Sequence, residues 1–168
     1  YPKIKNNYKQ IFSPSTAYQM TSILEGVVQR GTGKKLRDLK LNIAGKTGTT
    51  NKNTDTWFIG FTSDLVIGVY VGYDEPKSLG KFETGAKTAM PIFKSFIKSA
   101  LKKENTRPFK VPENITMMVV DSKTGKKVSF ASKKTLIESF KSDKVHEKTN
   151  ISKKINNRLN NNNILRFY

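Results

Sequence analysis

Two β-rich runs joined by a two-residue link constrain the fold of this chain more than any other feature. The first run spans 56–62, and the second, which is apolar at nearly every position, spans 65–73. A link as short as Ser63-Asp64 predicts that the two strands form an antiparallel hairpin. Because the second run is apolar on both of its faces, it is predicted to lie in the centre of a sheet.

Two amphipathic helices and a further strand accompany this hairpin. Ser13 and Pro14 predict the start of the first helix, and Gly31 predicts its end through a positive φ. The second helix is predicted over about 88–103, and the further strand over 41–49. The residues expected to face the core are Met20, Ile23, Leu24, Val27 and Val28 in the first helix, and Ile92, Phe93, Phe96, Ile97 and Leu101 in the second.

The residue pattern of the sequence changes after residue 104. Pro108 and Pro112 indicate a linker, and the runs 115–120 and 127–130 predict a small hairpin around a turn at 121–125. The residues from 149 onward are rich in Asn and Lys and are expected to be disordered. These features divide the chain into a main part over 1–104, a small β-containing extension over 105–148 and a tail over 149–168.

Charge and composition narrow the classes of function. Lys and Arg number 31 against 13 Asp and Glu, which gives a net charge of +18 and favours contact with polyanions. Lysine is over-used throughout and no stripe rich in arginine and aromatic residues marks a nucleic-acid face, so general use of lysine is the favoured explanation and no nucleic-acid partner is expected. No run approaches the ~18 apolar residues that span a bilayer.

Metal and disulfide chemistry find little support in the residue types. The chain has no cysteine, which excludes disulfides and thiolate metal sites. His146 is the single histidine, and it lies in the charged stretch 144–148, where it is expected to be a solvated surface residue. We therefore expect neither a metal site nor a cofactor.

The tripeptide Lys-Thr-Gly occurs twice, at 46–48 and at 123–125. The second copy has a sufficient structural explanation, because its glycine closes a turn and its lysine is solvated. The first copy lies late in a predicted strand, is extended by Thr49 and Thr50, and is followed by the hairpin. The first copy is therefore the candidate functional motif.

The stretches 43–51, 55–62 and 68–74 resemble the class A (bifunctional) penicillin-binding proteins, and the flanks extend the resemblance over about residues 13–141. This family belongs to the serine acyltransferases marked by Ser-x-x-Lys, Ser-x-Asn and Lys-Thr-Gly. Ala86 is a departure, since the family often has glycine there. The resemblance implies the C-terminal part of a transpeptidase domain of the α/β class. Its antiparallel sheet would have about five strands with helices on both faces, followed by a small C-terminal β hairpin.

The resemblance also implies roles for particular residues. Lys46 would be catalytic, and the hydroxyls of Thr47 and Thr49 would hold the terminal carboxylate of a D-Ala-D-Ala stem peptide or of a β-lactam. Side chains alternate along a strand, so Lys46 is expected to point away from both threonines, toward the nucleophile. Gly48 would let the substrate approach, and the N–H of Thr49 would be one donor of the oxyanion hole. Asp55 and Trp57 are assigned to structural support.

Two of the three family motifs are missing. The chain contains no Ser-x-Asn, and its Ser-x-x-Lys matches, at Ser78, Ser95 and Ser99, all follow Lys46 although the family order places the nucleophile first. The chain is therefore expected to be inactive alone and to need an upstream segment that carries the serine. By resemblance that segment also carries a membrane anchor, which places the domain at the periplasmic face of the inner membrane.

Alternatives to a partial transpeptidase remain open. The chain could be a non-catalytic remnant of a split or truncated gene, or a basic module that binds an anionic polymer. A β-lactamase is a further possibility, but the flanks and the extension favour the synthase. The two strands that complete the family's sheet are not among the predicted elements, so the isolated chain is expected to be poorly soluble or molten.

Overall fold

The computed structural model describes residues 9–101, 107–132 and 134–144, and these residues form a mixed α/β fold with two antiparallel sheets. His146 and the tail over 149–168 lie outside the described residues, so the expectations for them stay predictions. The helices and strands in chain order are α1 Pro14–Arg30, β1 Ala44–Thr49, β2 Asp55–Phe61, β3 Val66–Gly72, α2 Ala89–Ala100, β4 Ile115–Asp121 and β5 Thr135–Lys141, with short 3₁₀ helices at Lys34–Leu39, Asn51–Asn53 and Ser142–Lys144.

The larger sheet contains the predicted hairpin. Its order is β1-β2-β3, and Phe58 in the middle strand lies opposite Thr47 on one side and Val69 on the other. The hairpin prediction is confirmed. Strand β3 is an edge strand among the described residues, as expected without the two strands that complete the family's sheet, and its central position in a complete sheet stays a prediction. The middle strand is β2, which pairs with β1 over 56–61 and with β3 over 55–61.

The core lies on one face of this sheet. Phe58 of β2 and Phe93 of α2 are fully buried with their ring centroids 4.7 Å apart, and Ile97 and Val28 pack in the same cluster. Burying each large apolar side chain contributes about 1.5–3 kcal/mol, so this cluster is what holds the two helices on the sheet.

The first helix begins as predicted but ends and packs differently. Ser13 caps it by accepting the N–H of Thr16 at 3.3 Å, and Pro14 follows. Gly31 ends the helix with φ −105°, so the predicted left-handed cap is wrong. The N–H groups of Gly31 and Gly33 both donate to the carbonyl oxygen of Val27, at 3.1 and 3.0 Å, which ends the helix without a left-handed residue.

The apolar stripes of both helices are wider than the surfaces they bury. Met20 and Ile23 on α1 are exposed, and Ile92 and Phe96 on α2 are each 52% exposed, so their predicted inward positions are wrong. On α2 the core face is already filled by Phe93 and Ile97 together with Ala89 and Met90. The lysines and apolar residues of a short helix do not by themselves reveal which side of a broad stripe is covered.

The C-terminal hairpin forms with a different second strand. Strand β4 pairs with β5 over seven residues. The predicted pairing with 127–130 is limited to one bridge between Val120 and Lys127, beside which the N–H of Val128 donates to the carbonyl of Val119 at 3.0 Å. The hairpin packs on α1, where Gln19 donates to the carbonyl of Ser139 at 3.0 Å and Lys141 donates to Thr16 at 2.8 Å. The predicted hairpin therefore exists, with a longer connection than the sequence indicated.

A half-buried carboxyl of α1 lies next to this hairpin. Glu25 lines a cavity of about 50 Å³ together with Met117 and Ile137, and burial raises the pKa of Glu25 to about 7. The nearest ion pair, between Arg30 and Glu138, joins the same two elements. No helix in the described segments has the length and hydropathy needed to cross a bilayer.

The second face of the large sheet carries an uncovered apolar patch. Trp57, Ile59, Tyr70 and Val66 are exposed there, Val66 by 71%, and β3 has no partner on its outer side among the described residues. We expect the isolated chain to be poorly soluble or molten, because an unpaired apolar edge promotes association.

Thermal unfolding of the purified chain, followed by near-UV circular dichroism, measures this expectation. A cooperative transition in a monomeric sample would contradict it. Val66→Lys serves as a test of cause, since a lysine on the exposed edge should raise solubility without adding buried contacts.

Candidate active site

The outer edge of β1 is the candidate site. The N–H of Thr50 donates to the carbonyl of Asp55 at 3.0 Å, and hydrogen-bonded pairs alternate along an antiparallel ladder. The backbone groups of Thr47 and Thr49 therefore point away from β2. No strand pairs with β1 on that side within the described part of the chain, so the N–H groups of Thr47 and Thr49 are available to a substrate.

The ammonium group of Lys46 lies at this open edge. Its Nζ donates to the carbonyl oxygen of Thr47 at 2.8 Å and to the Thr47 hydroxyl at 3.3 Å. The Lys46 side chain leaves the strand on the face opposite to that of Thr47, as expected. Its ammonium group nevertheless lies beside Thr47. The reason is the length of the lysine side chain, which can reach around the edge of a strand.

Thr32 is a residue that the sequence analysis did not assign to the site. Its hydroxyl oxygen lies 3.2 Å from that of Thr47. It follows α1 between Gly31 and Gly33, and this small-residue turn brings it to the edge of β1. An ammonium group and two hydroxyls thus converge within a few ångströms, which is an arrangement that suits a carboxylate.

Thr49 is held by a second segment that the sequence analysis did not single out. The N–H of Gly85 donates to the Thr49 hydroxyl oxygen at 3.0 Å, so the hydroxyl hydrogen remains free to be donated outward. A Cβ on Gly85 would lie 2.4 Å from the carbonyl oxygen of Trp57 and 2.5 Å from that of Gly48. Only glycine lets this segment pack directly on the strand.

The turn after β1 is fixed by a network around Asp55. Its N–H donates to the Thr50 hydroxyl at 2.8 Å, and its carboxylate accepts from Tyr70 at 2.8 Å and from Thr54 at 2.9 Å. The hydrogen bond from Tyr70, followed by that from Thr54, lowers the pKa of Asp55, and the same contact raises the pKa of Tyr70. The ring of Trp57 packs 4.8 Å from that of Tyr70. Asp55 and Trp57 are thus placed where they can support β1.

The second Lys-Thr-Gly copy is a turn, as predicted. The carboxylate of Asp121 accepts the N–H groups of Lys123 at 3.0 Å and Thr124 at 2.8 Å, and Gly125 has φ +67°. The three serines of the Ser-x-x-Lys matches are exposed, and Ser99 donates within its own helix to the carbonyl of Ser95. None of these contacts brings a serine to Lys46.

A groove is also present away from the open edge of β1. Its volume is about 690 Å³, and it lies between α1 and residues 109–114, where Pro14, Tyr18 and Phe109 line it. Lys46 and the three threonines are not among its lining residues. We assign the site to the edge of β1, because the ammonium and hydroxyl groups converge there and not in the groove. Among the described residues, no group of three His, Asp or Glu side chains could hold a metal ion.

Comparison with a family model and with known relatives identifies the same family for this chain. Residues 2–98 match the penicillin binding protein transpeptidase domain. Penicillin-binding protein 1A of Rickettsia typhi is 47% identical over 137 residues, which are 82% of this chain and 17% of the relative. Penicillin-binding protein 1A of Pseudomonas aeruginosa is 39% identical over 136 residues, which are 80% of this chain and 16% of the relative.

A solved structure shares the fold. The crystal structure of penicillin-binding protein 1A from Haemophilus influenzae superimposes with a TM-score of 0.72 at 31% identity, covering 83% of this chain and 22% of that one. The chain therefore spans about a fifth of the length of the proteins it matches, a fraction that corresponds to part of one domain.

Proposed function

Because the chain belongs to the penicillin-binding protein transpeptidase family and forms part of that domain, we propose that the open edge of β1 grips the terminal carboxylate of a D-Ala-D-Ala stem peptide. The observation that carries this proposal is the convergence of the Lys46 ammonium with the hydroxyls of Thr47 and Thr32 at an unpaired strand edge. A β-lactam carboxylate would bind in the same place.

The reaction would need a serine from another segment of the protein. That serine attacks the carbonyl carbon between the two D-Ala residues, an ester forms, and the terminal D-Ala leaves with a proton on its amine. The amine of a second stem peptide then attacks the ester, and the serine hydroxyl is regenerated. Thr49 would contribute its outward N–H to the oxyanion and its hydroxyl to the carboxylate.

The proposal extends to partners, location and domain boundaries. The partners are the peptidoglycan stem peptide, β-lactams and the upstream segment that supplies the serine and packs on the bare face of the sheet. The site would work at the periplasmic face of the inner membrane. Residues 1–104 would complete the transpeptidase domain, and 105–148 would form a separate extension that packs on α1.

A chimera tests the proposal directly. In the chimera, this chain replaces the homologous segment of the Rickettsia typhi relative. The chimera is incubated with a fluorescent penicillin. We expect covalent labelling of the chimera and none of the isolated chain. A chimera that folds cooperatively but remains unlabelled would overturn the proposed function and favour a non-catalytic remnant.

Binding of a polyanion has one supporting feature. Lys34, Lys35 and Arg37 line a shallow basic depression with Lys94. The charge there is reduced, because Lys94 is paired with Asp38. Salt-sensitive retention of the isolated chain on an anionic polymer, with a steep dependence on salt concentration, would favour this second function.

A further inference from the structure

A strained turn lies beyond the C-terminal end of β1. The N–H of Glu83 donates to the carbonyl of Gly80 at 3.3 Å, which closes a four-residue turn with Lys81 and Phe82 at its tip. Phe82 has φ +69°. Positive φ at the third position of a turn is a place for glycine or asparagine, and a bulky residue there is strained.

One side of this turn is anchored to the segment that follows β1, and the other side is anchored to Thr49 of the candidate site. On one side, Asn53 accepts the N–H of Leu79 at 2.9 Å and donates to the carbonyl of Gly80 at 3.2 Å. On the other side, Gly85 donates to Thr49. The tip is therefore held just beyond the end of β1, next to the place where Thr49 would meet the substrate carboxylate.

The tip makes no contribution to the core. Phe82 is 71% exposed, and its ring carries only the ammonium of Lys81 at 5.2 Å from the centroid. An exposed ring on a strained backbone contributes little to the stability of the fold, because its apolar surface stays in water. Backbone strain of this kind is concentrated at functional sites, which directs attention to what the ring and the ammonium could contact.

We propose that Lys81 and Phe82 contact the acceptor stem peptide, an inference that rests on the proposed function. In the acylation step the terminal D-Ala lies at Thr49, and it leaves once the serine ester has formed. The acceptor amine must attack the same carbonyl carbon, so its peptide passes through the space that D-Ala vacated. The turn borders this space, since it is tied to Thr49 and to Asn53.

The chemistry of the tip indicates the kind of acceptor it fits. An ammonium group beside an aromatic face suits a carboxylate adjoining an aliphatic chain. The part of the acceptor peptide that lies at the tip is therefore a carboxylate beside an aliphatic chain. Transfer to the acceptor amine forms one amide bond and breaks the ester, and the proton from the amine returns to the serine oxygen.

Two readouts in the chimera separate acceptor binding from donor binding. Acylation by a fluorescent penicillin reports the donor step, and the ratio of cross-linked to hydrolysed product with stem-peptide substrates reports the acceptor. We expect Phe82→Gly and Lys81→Ala each to lower that ratio about tenfold, which is the scale of one lost substrate contact. Labelling by penicillin should change less than about twofold.

Stability provides an independent readout for Phe82→Gly. Since glycine accepts positive φ, this variant should raise the melting temperature while it lowers cross-linking, a combination that a purely structural role would not produce. Phe130→Ala, at a ring that is exposed but lies in the C-terminal extension, is the matched control and should change neither readout.

The outcomes separate the proposed function from the acceptor role of Lys81 and Phe82. Loss of labelling in the unaltered chimera would overturn the proposed function. A chimera that labels normally but keeps its cross-linking ratio in both tip variants would overturn the acceptor assignment alone.

Discussion

Replacing Lys46 with alanine in the chimera should slow acylation by a fluorescent penicillin about 10²–10³-fold, the scale of losing one electrostatic contact to the reacting group. The ammonium of Lys46 lies 3.3 Å from the Thr47 hydroxyl at the open edge of β1, and no second ammonium shares that position among the contacts of the described residues. Alanine would leave the substrate carboxylate facing two neutral hydroxyls. The rate of covalent labelling at a fixed penicillin concentration measures the effect.

The second Lys-Thr-Gly copy provides the control. Lys123→Ala alters a solvent-exposed turn in which the Asp121 carboxylate accepts backbone N–H groups that the substitution leaves in place. Labelling should therefore be unchanged. Equal losses at Lys46 and Lys123 would defeat the choice between the two copies.

Thr49→Ala should slow labelling about tenfold or more, since it removes one hydroxyl but keeps the backbone N–H that the oxyanion would use. Thr49→Ser retains the hydroxyl that Gly85 holds and should recover most of the rate. A serine variant as slow as the alanine variant would contradict the role given to the hydroxyl.

Gly85→Ala should produce the largest loss of stability of any single substitution near the site. The added Cβ would lie 2.4 Å from the carbonyl oxygen of Trp57 and 2.5 Å from that of Gly48. Both are backbone atoms of paired strands, which cannot rotate away as a side chain can. We expect destabilisation by about 2–4 kcal/mol, together with slower labelling because β1 would move relative to the serine.

Gly68→Ala is the matched control for this substitution. It places a methyl group on β3, where the nearest atom is 4.0 Å from the new Cβ, and the backbone of Gly68 is not left-handed. Its stability should change by less than about 0.5 kcal/mol. Thermal unfolding of both variants of the chimera measures the contrast, and a Gly85→Ala variant as stable as Gly68→Ala would show that the strand and the Gly85 segment are not in contact.

Much of the local structure was predictable because it depends on neighbouring residues. The two-residue link at 63–64 predicted the hairpin of β2 and β3, and Ser13 with Pro14 predicted the start of α1. The turn at Lys123 was also predictable, because its aspartate and glycine act within four residues. In each case the determining contacts lie close together in the sequence.

Errors arose where burial depends on distant segments. Apolar residues such as Ile92 and Phe96 were predicted inside, yet they are exposed, because periodicity marks a stripe but not which part of it is covered. The main partner of β4 was placed too early in the chain, because its seven-residue ladder forms with β5, whose contact with α1 the local sequence does not reveal.

The candidate site shows the same division. The sequence by itself determined the residue types on β1, and it distinguished Lys46 to Thr49 from the second copy by their setting in a strand. Only the tertiary structure placed Thr32 beside Thr47, Gly85 against Thr49 and the Lys81–Phe82 turn beyond the strand, where Asn53 holds Gly80. These contacts join segments 15 or more residues apart, and hydrogen bonds between such segments form only after the sheet and its helices have packed, which no local pattern encodes.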